Sequence, residues 1–195
     1  MTSSYLQKSN ITRVFSEKIR KPIYRDVLAN KPYRVKDACG LSFCFAQTTL
    51  GGKYIWLNYK PNDLIFERAS DPKYTGPITT GMELYIKVMD NNEYLYLSTF
   101  SYVKTGSKDS NVGKFKFMTT RSTIQTGDSL ILVNISNGKE YTIGRYYFPT
   151  RPFGYYCLAT GSGTEYTPVQ IYDPTDINTD LPQWSSPQHK HLLYF

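Results

Sequence analysis

The stretch best suited to binding chemistry is GRYYFPTRPFGYY, residues 144–156, which mixes aromatic rings with two arginines and two prolines. Aromatic and arginine side chains often anchor protein–protein interfaces, and exposed tyrosine rings can also stack on sugar rings. We expect part of this stretch to pack in the core and part to contact a partner. The candidate contact residues here and in the C-terminal region are Arg145, Tyr146, Tyr147, Arg151, Phe153, Tyr155 and Trp184.

A second candidate for contacts is the N-terminal stretch from Arg13 to Lys36, which is rich in lysine and arginine. The chain carries a formal charge of +7 and has a pI near 9.2, which favours acidic protein surfaces, anionic glycans, nucleic acid or simple solubility. No recognition helix or RNP-like strand accompanies the charge, so nucleic acid is not the expected partner. The candidate arm contacts are Arg13, Arg20, Lys21, Arg25 and Arg34.

Catalytic and metal chemistry find little support in the sequence. Nucleophile-elbow, zinc-protease and phosphate-loop motifs do not occur. The two histidines, His189 and His191, lack a neighbouring third ligand, and a Ser or Cys nucleophile elsewhere lacks its usual histidine base. We therefore predict a protein that is not an enzyme, with no catalytic residues, no metal and no cofactor.

The cysteines and the N-terminal residues indicate where in or outside the cell the protein is located. Three cysteines, Cys39, Cys44 and Cys157, cannot form a closed set of pairs, and we expect reduced thiols. The first residues contain no apolar signal-peptide core, and the chain has no run of 18 apolar residues. These features predict an intracellular or virion location, no secretory signal and no membrane span.

The elements that must position the candidate residues are strands, because tyrosine is abundant and apolar residues alternate. Three segments align on a glycine, at Gly40, Gly81 and Gly127, with apolar residues three and five places further on. A second alternating run follows each one across a turn, beginning at Tyr54, Tyr94 and Tyr141. The sequence therefore predicts an all-β protein built from three hairpin-containing repeats.

This repeat resembles the β-trefoil superfamily at large, and no single family within it. The resemblance implies a barrel capped by three hairpins over residues 37–173. Outside it we expect two non-repeat extensions, a basic N-terminal arm at residues 1–36 and a C-terminal arm at 174–195.

The leading functional prediction is a non-catalytic structural or scaffolding protein, such as a minor capsid-associated virion component. It would bind neighbouring protein subunits through its arms and the aromatic–Arg loop. The alternative is a lectin-like protein that binds glycans, although the Q-x-W signature of ricin-type lectins does not recur: Gln183 and Trp184 are adjacent and occur once. An actin- or heparin-binding protein is a third class, which would account for the basic charge.

Overall fold

The computed structural model describes residues 24–47, 53–109, 111–148 and 155–175. These residues form thirteen β-strands joined in one sheet and contain no helix, which confirms the all-β prediction. The strands are β1 (Pro32–Asp37), β2 (Ser42–Gln47), β3 (Lys53–Asn58), β4 (Leu64–Arg68), β5 (Leu84–Val88), β6 (Tyr94–Leu97), β7 (Val103–Gly106), β8 (Lys114–Met118), β9 (Ile131–Ser136), β10 (Lys139–Thr142), β11 (Gly144–Phe148), β12 (Tyr155–Ala159) and β13 (Val169–Tyr172).

The sheet closes on itself as an antiparallel barrel. Around the ring, β1 pairs with β4, β4 with β5, β5 with β8, and β8 with β9. Leu130, next to β9, pairs with Val169 of β13, and β13 pairs with β1. Closure removes the unpaired strand edges that would otherwise invite pairing with other chains.

Six of the remaining strands form a layer of hairpins at one end of the barrel, and β10 pairs with β9. β2 pairs with β3, β6 with β7, and β11 with β12. β3 lies at the centre of this layer, because it also pairs with β7 and β12. The bridge between Tyr102 and Ala159 brings the β7 and β12 hairpins together, so residues far apart in the sequence share one surface.

The core lies inside the barrel and follows the period-2 pattern of its strands. In β1 the buried side chains Tyr33 and Val35 alternate with partly exposed ones. The ring of Tyr33 stacks on Phe66, and Phe66 meets Phe117 edge to face with ring centroids 5.3 Å apart. Burial of side chains of this size contributes about 1.5–3 kcal/mol each, which makes the barrel interior the main source of stability.

Three short segments interlock at the opposite end of the barrel. The amide of Val27 donates to the carbonyl of Ile124, Ile124 donates to Ile78, and Ile78 donates to Val27, over 2.8–2.9 Å. All three side chains are fully buried. The cycle satisfies backbone groups that would otherwise be stranded in an apolar environment.

The resemblance to the β-trefoil superfamily is wrong, because it depended on aligning three segments on Gly40, Gly81 and Gly127, and these glycines do not occupy equivalent positions in the structure. Gly40 lies in the turn between β1 and β2, whereas Gly81 and Gly127 precede β5 and β9. The counterpart of those two glycines ahead of β1 is Asn30, which shares their positive φ at 60°. The structure supports the coarser description of an all-β protein built around a β-barrel with additional strands.

The structure places residues 24–36, predicted to be part of an arm, in the barrel. Val27, Ala29, Tyr33 and Val35 are buried core residues. The sequence interpretation followed the basic charge, but the charged side chains alternate with apolar ones that face inward. Residues 1–23 and 176–195, the rest of the predicted arms, lie outside the described residues. In the parts that are described, no helix has the length and apolar character needed to cross a membrane.

Candidate binding surface

The hairpin layer carries a continuous cluster of aromatic side chains on its outer side. In β3, Ile55 and Leu57 face inward and are buried, so the alternating residues Tyr54 and Trp56 face outward and are half-buried. Neighbouring hairpins add rings to the same side. We call this cluster the aromatic face, and its members are Tyr54, Trp56, Tyr102, Tyr146, Phe148 and Tyr155.

The rings of the aromatic face meet edge to face. Trp56 contacts Tyr155 at a centroid distance of 5.1 Å and Phe148 at 6.4 Å. Tyr102 contacts Tyr54, Tyr146 and Phe148 at 5.7–5.9 Å. Edge-to-face pairs place the positive ring edge on the negative face of the neighbour, which fixes the rings relative to one another. The rings of the cluster are therefore held in fixed relative positions.

Beneath the face lies Cys157, which is buried at 1% exposure. Burial raises the pKa of this thiol to about 12. Burial also raises the pKa of Tyr102, with smaller contributions from Tyr146 and Cys157. The Cys157 thiol and the Tyr102 hydroxyl therefore stay neutral near pH 7.

A positive charge lies at the border of the face. The Lys104 ammonium sits over the Tyr54 ring, 4.7 Å from its centroid. Among the described residues Lys104 forms no ion pair, whereas Lys53 nearby is paired with Glu93. The negative face of the half-buried Tyr54 ring attracts this ammonium group. The described border of the face therefore includes a lysine that has no carboxylate partner among the described residues.

Arg145, a predicted contact residue, is instead held inside a polar network. Its guanidinium contacts Glu165 at 2.5 Å, Asp37 at 3.7 Å and the Cys39 Sγ at 2.7 Å, and it stacks over Tyr156. Burial works against its charge, but the hydrogen bond and charge of Glu165 outweigh this effect, and the pKa of Arg145 is raised. Its side chain is only 17% exposed, so its contacts are mainly internal.

The other predicted contact residues fall into three groups: those on the aromatic face, those elsewhere on the described structure, and those outside the described residues. Tyr146 and Tyr155 belong to the aromatic face, whereas Tyr147 lies on the other side of the same hairpin and packs on Tyr156. Arg25 is exposed at the start of the described chain. Arg34 lies in β1 with its Nε 2.7 Å from Asp63 Oδ1. Arg13, Arg20, Lys21, Arg151, Phe153, Trp184 and both histidines lie outside the described residues.

The predicted contact residues did not include four members of the face: Phe148, which lies inside the predicted stretch, and Tyr54, Trp56 and Tyr102, which lie outside it. A usable signal was present in KYIWLN, where two aromatic residues alternate with two aliphatic ones. If the aliphatic residues face the core, the aromatic ones must face outward. The pattern does not show that β3 lies between two other hairpins, and that position brings the rings together.

The described surface has pockets at both ends of the barrel. One, of about 360 Å³, lies near the interlocked end of the barrel and includes Arg68, Thr80 and Glu83. The other, of about 220 Å³, borders the aromatic face and includes Phe100, Tyr102 and Tyr146. The second pocket shares two residues with the aromatic face, so a ligand there would contact both.

Comparison with known proteins identifies no family. No family model matches the sequence, and no curated protein matches it. The structure is similar to a water-soluble chlorophyll protein from Brassica oleracea var. Botrytis, with a TM-score of 0.56 and 16% identity, covering 75% of this chain and 93% of that one. It is also similar to a mutant of HCR/D, with a TM-score of 0.50 and 14% identity, covering 91% of this chain and 48% of that one.

These likenesses concern the fold alone, because both identities lie far below 25%. They accord with an all-β protein built around a β-barrel, which replaces the β-trefoil recognition made from the sequence. The chain spans about half the length of HCR/D.

Proposed function

We propose that this protein is a non-catalytic structural component of a larger assembly, and that its aromatic face binds an acidic surface of a neighbouring protein subunit. The observation that carries the proposal is the connected set of outward-facing rings from three hairpins. Central aromatic anchors, with a charged residue at the border, are a common arrangement at protein interfaces.

Charge supports an acidic protein as the occupant. Lys104 lies over Tyr54 at the border of the face, and the chain carries a net charge of +7. A carboxylate-rich neighbour would be steered to this border, while its apolar side chains would be buried against the rings. The virion and intracellular locations, and the absence of an enzymatic activity, stay predictions made from the sequence.

Two tyrosines of one hairpin provide a matched test. Tyr155 lies on the aromatic face and is 51% exposed, whereas Tyr147 lies on the opposite side and is 52% exposed. The full-length protein is cross-linked in its native source, the neighbour is identified, and the purified neighbour is titrated with each variant. We expect Tyr155→Ala to weaken binding at least about tenfold, or about 1.4 kcal/mol, and Tyr147→Ala to change it less than about twofold.

Three outcomes would contradict the proposal. The two variants could weaken binding equally, the bound neighbour could contact another surface, or the native protein could be recovered only as a monomer. Lys104→Glu provides an independent check on the occupant, because it should slow association with an acidic neighbour and reduce its salt dependence.

A further inference from the structure

The pocket beside the aromatic face is built by two turns that are tied together. In the first turn, the amide of Ser101 donates to the carbonyl of Ser98, and Ser101 adopts a positive φ of 64°. In the second, the amide of Thr164 donates to Gly161. The amide of Thr160 donates to the carbonyl of Ser101 over 2.9 Å and links the two turns. The pocket therefore has a defined shape without any ligand.

An aromatic ring forms the exposed part of the pocket. Phe100 is 76% exposed, more than any other large hydrophobic residue among those described, and it precedes the strained Ser101. A positive φ in a non-glycine residue is uncommon, and its cost must be offset by the surrounding structure. Here the conformation holds an apolar ring in solvent at the pocket, where it adds nothing to the barrel core.

The remaining lining is polar and uncharged. Thr160 and Ser162 contribute hydroxyl groups that make no hydrogen bond to another described residue. Tyr102 and Tyr146 complete the wall, and the described residues that line the pocket include no acidic or basic side chain. The Tyr166 hydroxyl accepts a hydrogen bond from the Gly161 amide over 3.1 Å, which supports the second turn from outside.

We propose that this pocket binds one neutral pyranose residue of a glycan. The apolar face of a sugar ring matches Phe100, and its hydroxyls match the free hydroxyls of Thr160 and Ser162. The volume of about 220 Å³ suits a single ring. Among the described residues of the pocket an acidic sugar would lose hydration without gaining a cationic partner, so we expect the pocket to favour uncharged sugars. The argument for this binding does not rest on the proposed protein neighbour, although the pocket shares Tyr102 and Tyr146 with the aromatic face.

The test is a titration of the isotope-labelled full-length protein with the methyl glycosides of glucose, galactose, mannose and N-acetylglucosamine, followed by NMR. For at least one glycoside we expect saturable shifts of the Ser101, Thr160 and Gly161 amides, with a Kd on the order of millimolar for so small a ligand. Phe100→Ala should weaken binding at least about tenfold. Because Phe100 is so exposed, this variant should still fold.

The control variant is Tyr24→Ala, which removes a 52% exposed ring at the interlocked end of the barrel and should leave the titration unchanged. Sialic acid methyl glycoside serves as the charged probe. The proposal is overturned if no neutral glycoside gives saturable shifts at these amides, if the shifts persist in Phe100→Ala, or if only sialic acid binds. If the cross-linking experiment finds no protein neighbour, the outcome of the glycoside titration would still stand.

Discussion

Trp56 of β3 and Tyr155 of β12 meet edge to face, with ring centroids 5.1 Å apart and an interplanar angle of 74°. They come from different parts of the chain, and the pairing of Trp56 with Cys157 brings them together. This contact joins the rings near residue 155, which the sequence predicted as contacts, to the rings of β3, which it did not. The aromatic face is therefore a property of the hairpin layer as a whole.

Arg145 should matter for stability and not for partner binding. Arg145→Ala removes the guanidinium beside Asp37, whose carboxylate is only 2% exposed. Loss of one partner at a buried charge costs about 2 kcal/mol, because the other group stays in a poorly hydrated site. Urea unfolding should show this decrease in the free energy of unfolding, while the affinity of the folded variant for the neighbour stays unchanged.

Lys60→Ala is the matched control for Arg145→Ala, because it removes an exposed cation and should leave stability within about 0.5 kcal/mol of the parent. A stable Arg145→Ala variant that fails to bind would restore Arg145 as a contact residue and contradict its internal role.

Asp173 should make stability depend on pH at the acidic end. Burial opposes its ionisation, but hydrogen bonds from Lys31 and Thr175 outweigh burial and lower the pKa from 3.8 to about 2. Because this pKa is lower in the folded state than in the unfolded state, the ionised carboxylate stabilises the protein above about pH 4. The stabilisation is lost as the pH falls from about 4 to about 2. The contribution is about 2 kcal/mol.

Urea unfolding of the parent and of Asp173→Asn, repeated between pH 6 and pH 2, measures this contribution. The variant should be less stable at pH 6 and should lose less stability on acidification. Asp71→Asn, at an exposed carboxylate, should follow the parent curve. Identical pH dependence in the parent and Asp173→Asn would contradict the assignment.

Cys157 should resist alkylation for as long as the protein is folded. All three cysteines are free, but Cys157 is buried and its pKa is raised to about 12, so it stays protonated and covered at pH 8. Burial also raises the pKa of Cys44, which is half-buried. Because the thiolate is the reactive form, iodoacetamide followed by mass spectrometry should modify Cys157 only in urea.

Cys39 is the internal control in the same sample, because its partial exposure allows the reagent to reach it in the folded state. Modification of Cys157 at the rate of Cys39 in native buffer would show that the aromatic face opens readily. Such opening would also argue against the fixed ring cluster on which the proposed protein interface depends.

The amino-acid sequence by itself determined the strand class and much of the local pairing. The alternation in SFCFAQ and KYIWLN predicted the β2–β3 hairpin, and the register of Phe43 with Leu57 confirms it. This was possible because a period-2 pattern is local: each strand must turn its apolar side chains toward a core wherever that core is.

Only the tertiary structure decided which strands close the barrel and which rings meet on its hairpin layer. Gly40 resembles Gly81 and Gly127 in its local sequence, yet it lies at a different place in the fold, and Asn30 adopts their positive φ instead. Likewise, Arg145 and Tyr155 share one aromatic–Arg stretch but face an internal network and the aromatic face, respectively. These differences depend on pairing between distant strands, and local patterns do not encode such pairing.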